Sequence, residues 1–220
     1  MKTLVIAPHA DDEILGTGGT LLSRKKNGFE VGWLLATNLT KDSRTSSINP
    51  SVRTRQIEEV RDAELFDKFY ELNFQPASLS SVLMSELVSN ISVILGEFKP
   101  VEILIPHYSD IHSDHRIIFE AAVSASKIFR CPSVKRILAY ETLSETNFGK
   151  IHNFTFNANY FVDITDQMNK KLEILSIYSS EIGNHPFPRS LDSIKALATL
   201  RGSQCGYQYA EAFDCLFNLE

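Results

Sequence analysis

Cysteine is scarce in this chain: Cys131, Cys205 and Cys215 are the three among 220 residues, and none stands in a CxxC spacing. Such an odd, scattered set excludes a disulfide framework or a cysteine-built zinc site, and leads us to expect reduced thiols in a cytoplasmic protein. Long apolar runs are missing as well. No stretch approaches the ~20 apolar residues of a membrane span, so no membrane span is expected. The opening Met-Lys-Thr meets only a short apolar run before acids follow, which does not read as a secretion signal. Excess positive charge is also absent. The 22 Lys and Arg against 27 Asp and Glu leave a net charge of −5, which argues against binding nucleic acid by phosphate neutralisation. The densest basic cluster, Arg24-Lys25-Lys26, falls where a helix should end and reads as compensation of the helix dipole.

What is present is alternation. Lys2 to Ala7 reads as a buried strand, and Glu13 to Asn27 as a helix closed by Gly28. A second strand is expected over Val31 to Ala36. Residues 37 to 50 are polar and without periodicity, and loops of that length are often functional. A helix follows over Ser51 to Leu65 with Ser51 as its N-cap, then a short strand over Phe69 to Leu72. The stripe Val82, Leu83, Leu87, Ile91, Ile94 and Leu95 makes Ser80 to Phe98 a helix. Val101 to Ile105 is a buried strand stopped by Pro106, a helix covers roughly 114 to 129, and Val134 to Tyr140 is the next strand. The remainder is less regular: helices over Thr165 to Ser180 and Leu191 to Arg201, then a terminal strand in "YAEAFDCLFNL". Strand and helix in turn imply parallel strands with crossover helices, a layered α/β sandwich. No repeat or linker interrupts it, so one domain over 1–220 is expected.

Two polar clusters stand at two strand ends. His9, Asp11 and Asp12 follow the first strand; His112, Asp114 and His115 follow the strand at 101–105. Open parallel sheets bind ligands beyond the carboxyl ends of their strands, so two neighbouring parallel strands would bring all six residues together. Unpaired acids at that density are unfavourable through repulsion and desolvation, and a divalent cation resolves the conflict. Two imidazoles and one carboxylate make the three-ligand set of a catalytic zinc site with an open position for water. Either cluster alone also reads as a helix cap in a solvated loop; it is the pair that points to a metal. The stretch Gly16 to Thr20, "GTGGT", lacks the third glycine of a dinucleotide-binding loop and falls inside the helix. Its glycines instead let the first helix lie close on the sheet.

At these residues the chain resembles the LmbE-like, or PIG-L, deacetylase family. Pro8-His9-Ala10-Asp11-Asp12-Glu13 matches that family's P-H-x-D-D-E motif, and His112-Ser113-Asp114-His115 its H-x-D-H. Arg55-Gln56-Ile57-Glu58 matches an R-x-x-E helix start. Arg201-Gly202 through Gly206, Tyr209-Ala210-Glu211 and Phe213 match its ending. The resemblance implies a Rossmann-like three-layer sandwich with a mostly parallel sheet, and zinc-dependent removal of an N-acetyl group from a glucosamine-type sugar, free or in a glycoconjugate. It implies one Zn2+ per chain held by His9, Asp12 and His115, with Asp11 as general base. His112 would stabilise the oxyanion, Asp114 would orient His112, and Arg55 would contact sugar hydroxyls. Some relatives carry a tyrosine where this chain has Asp110. Glu13 reads as a first-turn carboxylate favoured by the helix dipole. Hydrolysis of another acyl amide, a sugar-binding protein without chemistry, and a homo-oligomeric assembly stay open, as does the identity of the amino-sugar substrate.

Overall fold

The computed structural model describes residues 1–39, 49–152 and 155–220. Seven strands form one sheet: β1 (Lys2–Ala7), β2 (Glu30–Thr37), β3 (Lys68–Phe74), β4 (Glu102–Pro106), β5 (Arg136–Tyr140), β6 (Tyr160–Asp163) and β7 (Ala210–Asn218). Their spatial order is β3-β2-β1-β4-β5-β7-β6. The pairs from β3 through β5 are parallel, and β7 runs antiparallel to both its neighbours. Among the described residues six α-helices cover the sheet: α1 (Asp12–Lys26), α2 (Pro50–Asp62), α3 (Met84–Phe98), α4 (Ser113–Ala125), α5 (Met168–Leu175) and α6 (Leu191–Cys205). This is the expected three-layer, Rossmann-like sandwich. None of these helices is long and apolar enough to cross a membrane.

The period of two along each strand sorts its side chains into two cores. Val5 and Ala7 of β1, Trp33 and Leu35 of β2, and Leu138 and Tyr140 of β5 enter the core beneath α1, α2, α5 and α6. Their alternates Leu4, Ile6, Leu34, Ile137 and Ala139 enter the core beneath α3 and α4. Helices α1 and α3 therefore lie on opposite faces. The chain leaves β1 toward β2 on one side and later fills β4 on the other. The gap between β1 and β4 is the switch point where such sheets bind ligands.

Several boundaries differ from the sequence expectation. Helix α2 starts at Pro50, and its cap is Asn49, whose side chain accepts the Ser51 amide; Ser51 is inside the helix. Before α3 the chain makes a separate 3-10 turn, Leu79–Ser81. The expected helix over 165–180 shrinks to α5, and β6 is an additional short strand recruited by pairing with β7. Residues 40–48 of the long polar loop lie outside the described residues. The three basic residues ending α1 do more than offset its dipole: Arg24 bonds Glu102, Lys25 bonds Asp67 and Lys26 bonds Asp166.

The glycines of α1 serve close packing. A Cβ on Gly16 would run into the Tyr140 ring, and one on Gly19 would stand 2.6 Å from Ile164 Cγ2. The middle of α1 is also gripped from outside. The Gly19 and Thr20 amides donate to the Glu211 carboxylate at 2.8 and 2.7 Å. Lys171 Nζ donates to Glu211 at 2.7 Å and to the Leu15 carbonyl at 2.9 Å. Gly16→Ala should destabilise the protein by about 1–3 kcal/mol through overpacking. Tyr140 cannot yield cheaply, since it is fully buried and its hydroxyl donates to the Ile6 carbonyl. A denaturant midpoint equal to wild type would show that the ring can move aside.

Candidate metal centre

Strands β1 and β4 lie side by side in parallel, so the two polar clusters open onto the same edge of the sheet. His9 lies just beyond β1, and Asp11 and Asp12 begin α1. His112 caps α4, with its Nδ1 accepting the Asp114 amide at 3.1 Å. His115 sits in the first turn of α4. The ring centroids of His9, His112 and His115 are 4.5 to 5.6 Å apart.

Three of these residues share one geometry. His9 Nδ1 lies 3.3 Å from Asp12 Oδ2, and His115 Nε2 lies 3.2 Å from the same oxygen. Donor atoms of His9, Asp12 and His115 all fall within 4.8 Å of one another. A tetrahedral zinc with bonds near 2.0–2.1 Å spaces its donors roughly 3.3 Å apart, so the spacing fits. The other nitrogen of each imidazole meets a second carboxylate. His9 Nε2 is 3.2 Å from Asp114 Oδ2, and His115 Nδ1 is 2.8 Å from Asp110 Oδ2. Ligating histidines almost always carry such a partner, which fixes ring orientation and tautomer. His9, His112 and Asp114 form a second, overlapping group with metal-compatible spacing.

The Asp114 carboxylate meets His9 and also accepts the Ala77 and Leu79 amides at 2.7 and 3.2 Å. What Asp114 offers His112 is its backbone amide, so the ring is held by that amide and not by the carboxylate. Burial, and then the charges of His9 and His115, push His112 down to about 4. Its Nδ1 is occupied as an acceptor, which leaves the ring proton on Nε2. Burial would lower His9 too, but Asp114 and Asp12 overcome it and carry it up to about 9. Asp12 and His115 are bound as a buried pair, the acid held well below its usual range against burial and the imidazole well above its own.

Asp11 faces the same cleft without joining the donor trio. Burial, then the charges of Asp12 and Glu181, push its carboxyl up to about 7 against the pull of Arg189 and Arg53. It is the N-cap of α1, yet its side chain makes no capping bond, so the carboxylate stays available. Arg189 Nη1 is 3.5 Å from Asp11 Oδ2.

The cleft has a volume of about 410 Å³. It is lined by His9, Asp11, Asp12, His112 and His115, and also by Arg53, Glu145, Glu181 and Arg189. Thr37, Asn38 and Leu39 border it too, which places the start of the long polar loop at its rim. Arg55 does not reach it. Its side chain is 69% exposed and sits 3.5 Å from Glu59 one turn along α2. The arginine brought to the cleft is Arg53, 7% exposed and paired with Glu181. Helical period explains the difference: Arg53, Gln56, Ile57 and Val60 form the buried face, and position 55 is rotated away from it. That apolar register was the signal for Arg53. Arg189 lies in the Pro-rich "NHPFPR" stretch, and its Nη2 pairs with Glu181 at 3.2 Å. For Asp110, Glu145 and Glu181, no local pattern announces their place. His107 is buried between Ser109 and Asp214, and His185 is exposed.

Over residues 4–126 the sequence matches the profile of the PIG-L family, described as GlcNAc-PI de-N-acetylase. It is 28% identical over 220 residues to the diacetylchitobiose deacetylase of Thermococcus kodakarensis, covering 96% of this chain and 81% of that relative. The solved structure of the conserved protein TT1542 from Thermus thermophilus superposes with a TM-score of 0.79 at 26% identity, covering 99% of this chain and 96% of the other. N,N'-diacetylchitobiose deacetylase from Pyrococcus horikoshii, solved with its inhibitor MPG, superposes with a TM-score of 0.78 at 24% identity, covering 98% and 83%. At that identity the last likeness speaks for the fold alone.

Proposed function

This chain belongs to the PIG-L family, and from that premise we propose that it is a zinc-dependent hydrolase. It removes the N-acetyl group of an amino sugar and releases acetate and a free amine. The observation that carries this reading is the unligated carboxylate of Asp11 beside a fitting three-donor set in an open cleft. A protein that only bound a sugar would have no use for a base there. The relative that acts on diacetylchitobiose supports an amino sugar as substrate.

His9, Asp12 and His115 would hold a zinc ion, which would supply Lewis acidity, making a water acidic at roughly pH 7 and polarising the acyl group. The rest falls to side chains. Asp11, in the cleft but outside the donor set, takes the proton of the attacking water as general base. His112 accepts the Asp114 amide at Nδ1, so its Nε2–H faces outward and donates to the oxygen that becomes negative in the tetrahedral intermediate. The proton gained by Asp11 is the one delivered to the departing amine. Asp114 and Asp110 hold the two ligand imidazoles in place. Arg53 and Arg189, each paired with Glu181, bound the side of the cleft next to Asp11 and can donate to sugar hydroxyls.

The test is a panel of N-acetylated amino sugars, including N-acetylglucosamine, its disaccharide and a nucleotide-linked form, incubated with zinc-loaded protein. Free amine and acetate should appear in equal amounts from at least one of them. Release of amine only from N-acyl amino acids would move the assignment to another amide. No amine from any compound would overturn it.

A further inference from the structure

We infer that Glu13 and Tyr178 are positioning residues which, with Arg53, clamp the Ala10–Asp11 peptide and thereby aim the Asp11 carboxylate. The inference rests on the role of Asp11 as base. It begins from the backbone. Asp11 has φ 139 and ψ −28, a positive φ that side-chain-bearing residues rarely adopt and that persists only where the surroundings impose it.

The surroundings do so from both edges of the peptide. On one edge, Arg53 Nη1 donates to the Ala10 carbonyl at 2.8 Å. On the other, the Asp11 amide donates to Glu13 Oε2 at 3.0 Å. The two arms are joined behind the peptide. The Tyr178 hydroxyl donates to Glu13 Oε1 at 2.7 Å, and the Arg53 guanidinium lies 5.6 Å from the Tyr178 ring centroid. Glu13 and Tyr178 are fully buried, and neither lines the cleft, so they can reach substrate only through Asp11.

A helix-dipole role alone would leave Glu13 at the surface of the first turn. Instead it reaches back to the amide of the cap residue, as the acid of a capping box does. The cap residue's own side chain does not reciprocate. The helix start is thus satisfied by Glu13, and the Asp11 carboxylate is spared for the cleft. Each oxygen of Glu13 meets one of the two groups, the Asp11 amide and the Tyr178 hydroxyl.

The experiment compares Glu13→Met, Glu13→Gln and Tyr178→Phe, with Asp11→Asn as control. Methionine offers no oxygen to the Asp11 amide, so Glu13→Met should lower kcat about 100-fold, the scale of a misaimed reacting group. Glutamine keeps one oxygen for that amide, and its Nε2 can donate to the Tyr178 oxygen, so Glu13→Gln should recover kcat to within about 10-fold of wild type. Tyr178→Phe removes only the outer donor and should lower kcat about 10-fold. KM and zinc content should not change, and the Asp11 amide should exchange with deuterium faster in Glu13→Met and Tyr178→Phe.

Wild-type kcat and Asp11 amide exchange in a folded, zinc-loaded Glu13→Met would overturn the clamp, as would a Glu13→Gln as slow as Glu13→Met. If Glu13→Met does not fold, Tyr178→Phe decides on the same two readouts. Full activity of Asp11→Asn would remove the base role, and the amide exchange would still decide whether the peptide is clamped.

Discussion

Asp11→Asn should keep its fold and its zinc and lose turnover by about 10²–10⁴-fold, the range of a general base. Asparagine has the same shape, so the argument turns on charge. The Asp11 side chain makes no capping bond and is outside the trio of donors. The bond that fixes its backbone is made by its amide, which the variant retains. What disappears is a carboxylate already disfavoured by burial and by Asp12 and Glu181, so folding stability should hold or rise slightly. Arg189 loses its 3.5 Å contact to Asp11 but keeps Glu181. Turnover near the wild-type rate in a zinc-replete variant would place the base elsewhere in the cleft.

His115→Ala should lose the metal and with it all measurable activity. The imidazole bridges two buried acids, Asp12 at 3.2 Å and Asp110 at 2.8 Å. Its removal takes away a donor and leaves both carboxylates without that partner. Losing only an outer partner of a metal ligand costs about 10–100-fold in affinity; losing the ligand should cost much more. Breaking a buried pair from one side also costs about 3–5 kcal/mol of stability, readable in a denaturant titration. Chelation of the wild-type protein should reproduce the loss of activity, and added zinc should reverse it there but not in the variant. Stoichiometric zinc bound to His115→Ala would sink the ligand assignment.

The strands of the sheet were legible because their signals are local. Leu4, Val5, Ile6 and Ala7 form a continuous apolar run that reads as buried on both sides, and the structure shares them between the two faces. The meeting of the two polar clusters was legible for another reason: each half follows a strand that stops at a proline, Pro8 or Pro106. Neighbouring placement of β1 and β4 then followed from topology. Arg55 came from a motif frame and is outside the lining of the cleft, whereas the helical register of Ile57 and Val60 pointed to Arg53. Glu181 and Arg189 were beyond reach, since their partners Arg53 and Asp11 are more than a hundred positions away. Strand β6 has four residues and owes its existence to β7, a dependence that no window on residues 160–163 contains. Asp114 illustrates the limit within a motif. Its neighbour in sequence is His112, but its carboxylate partner in space is His9.

The grip of Glu211 on α1 has a consequence for how the molecule comes into being. The acceptor of the Gly19 amide is 192 positions further along, and pairing over such separations is the slow part of folding. Until residue 211 has been made, the Gly19 and Thr20 amides and Lys171 lack the carboxylate that joins them. A fragment ending before β7 should therefore carry α1 without this latch.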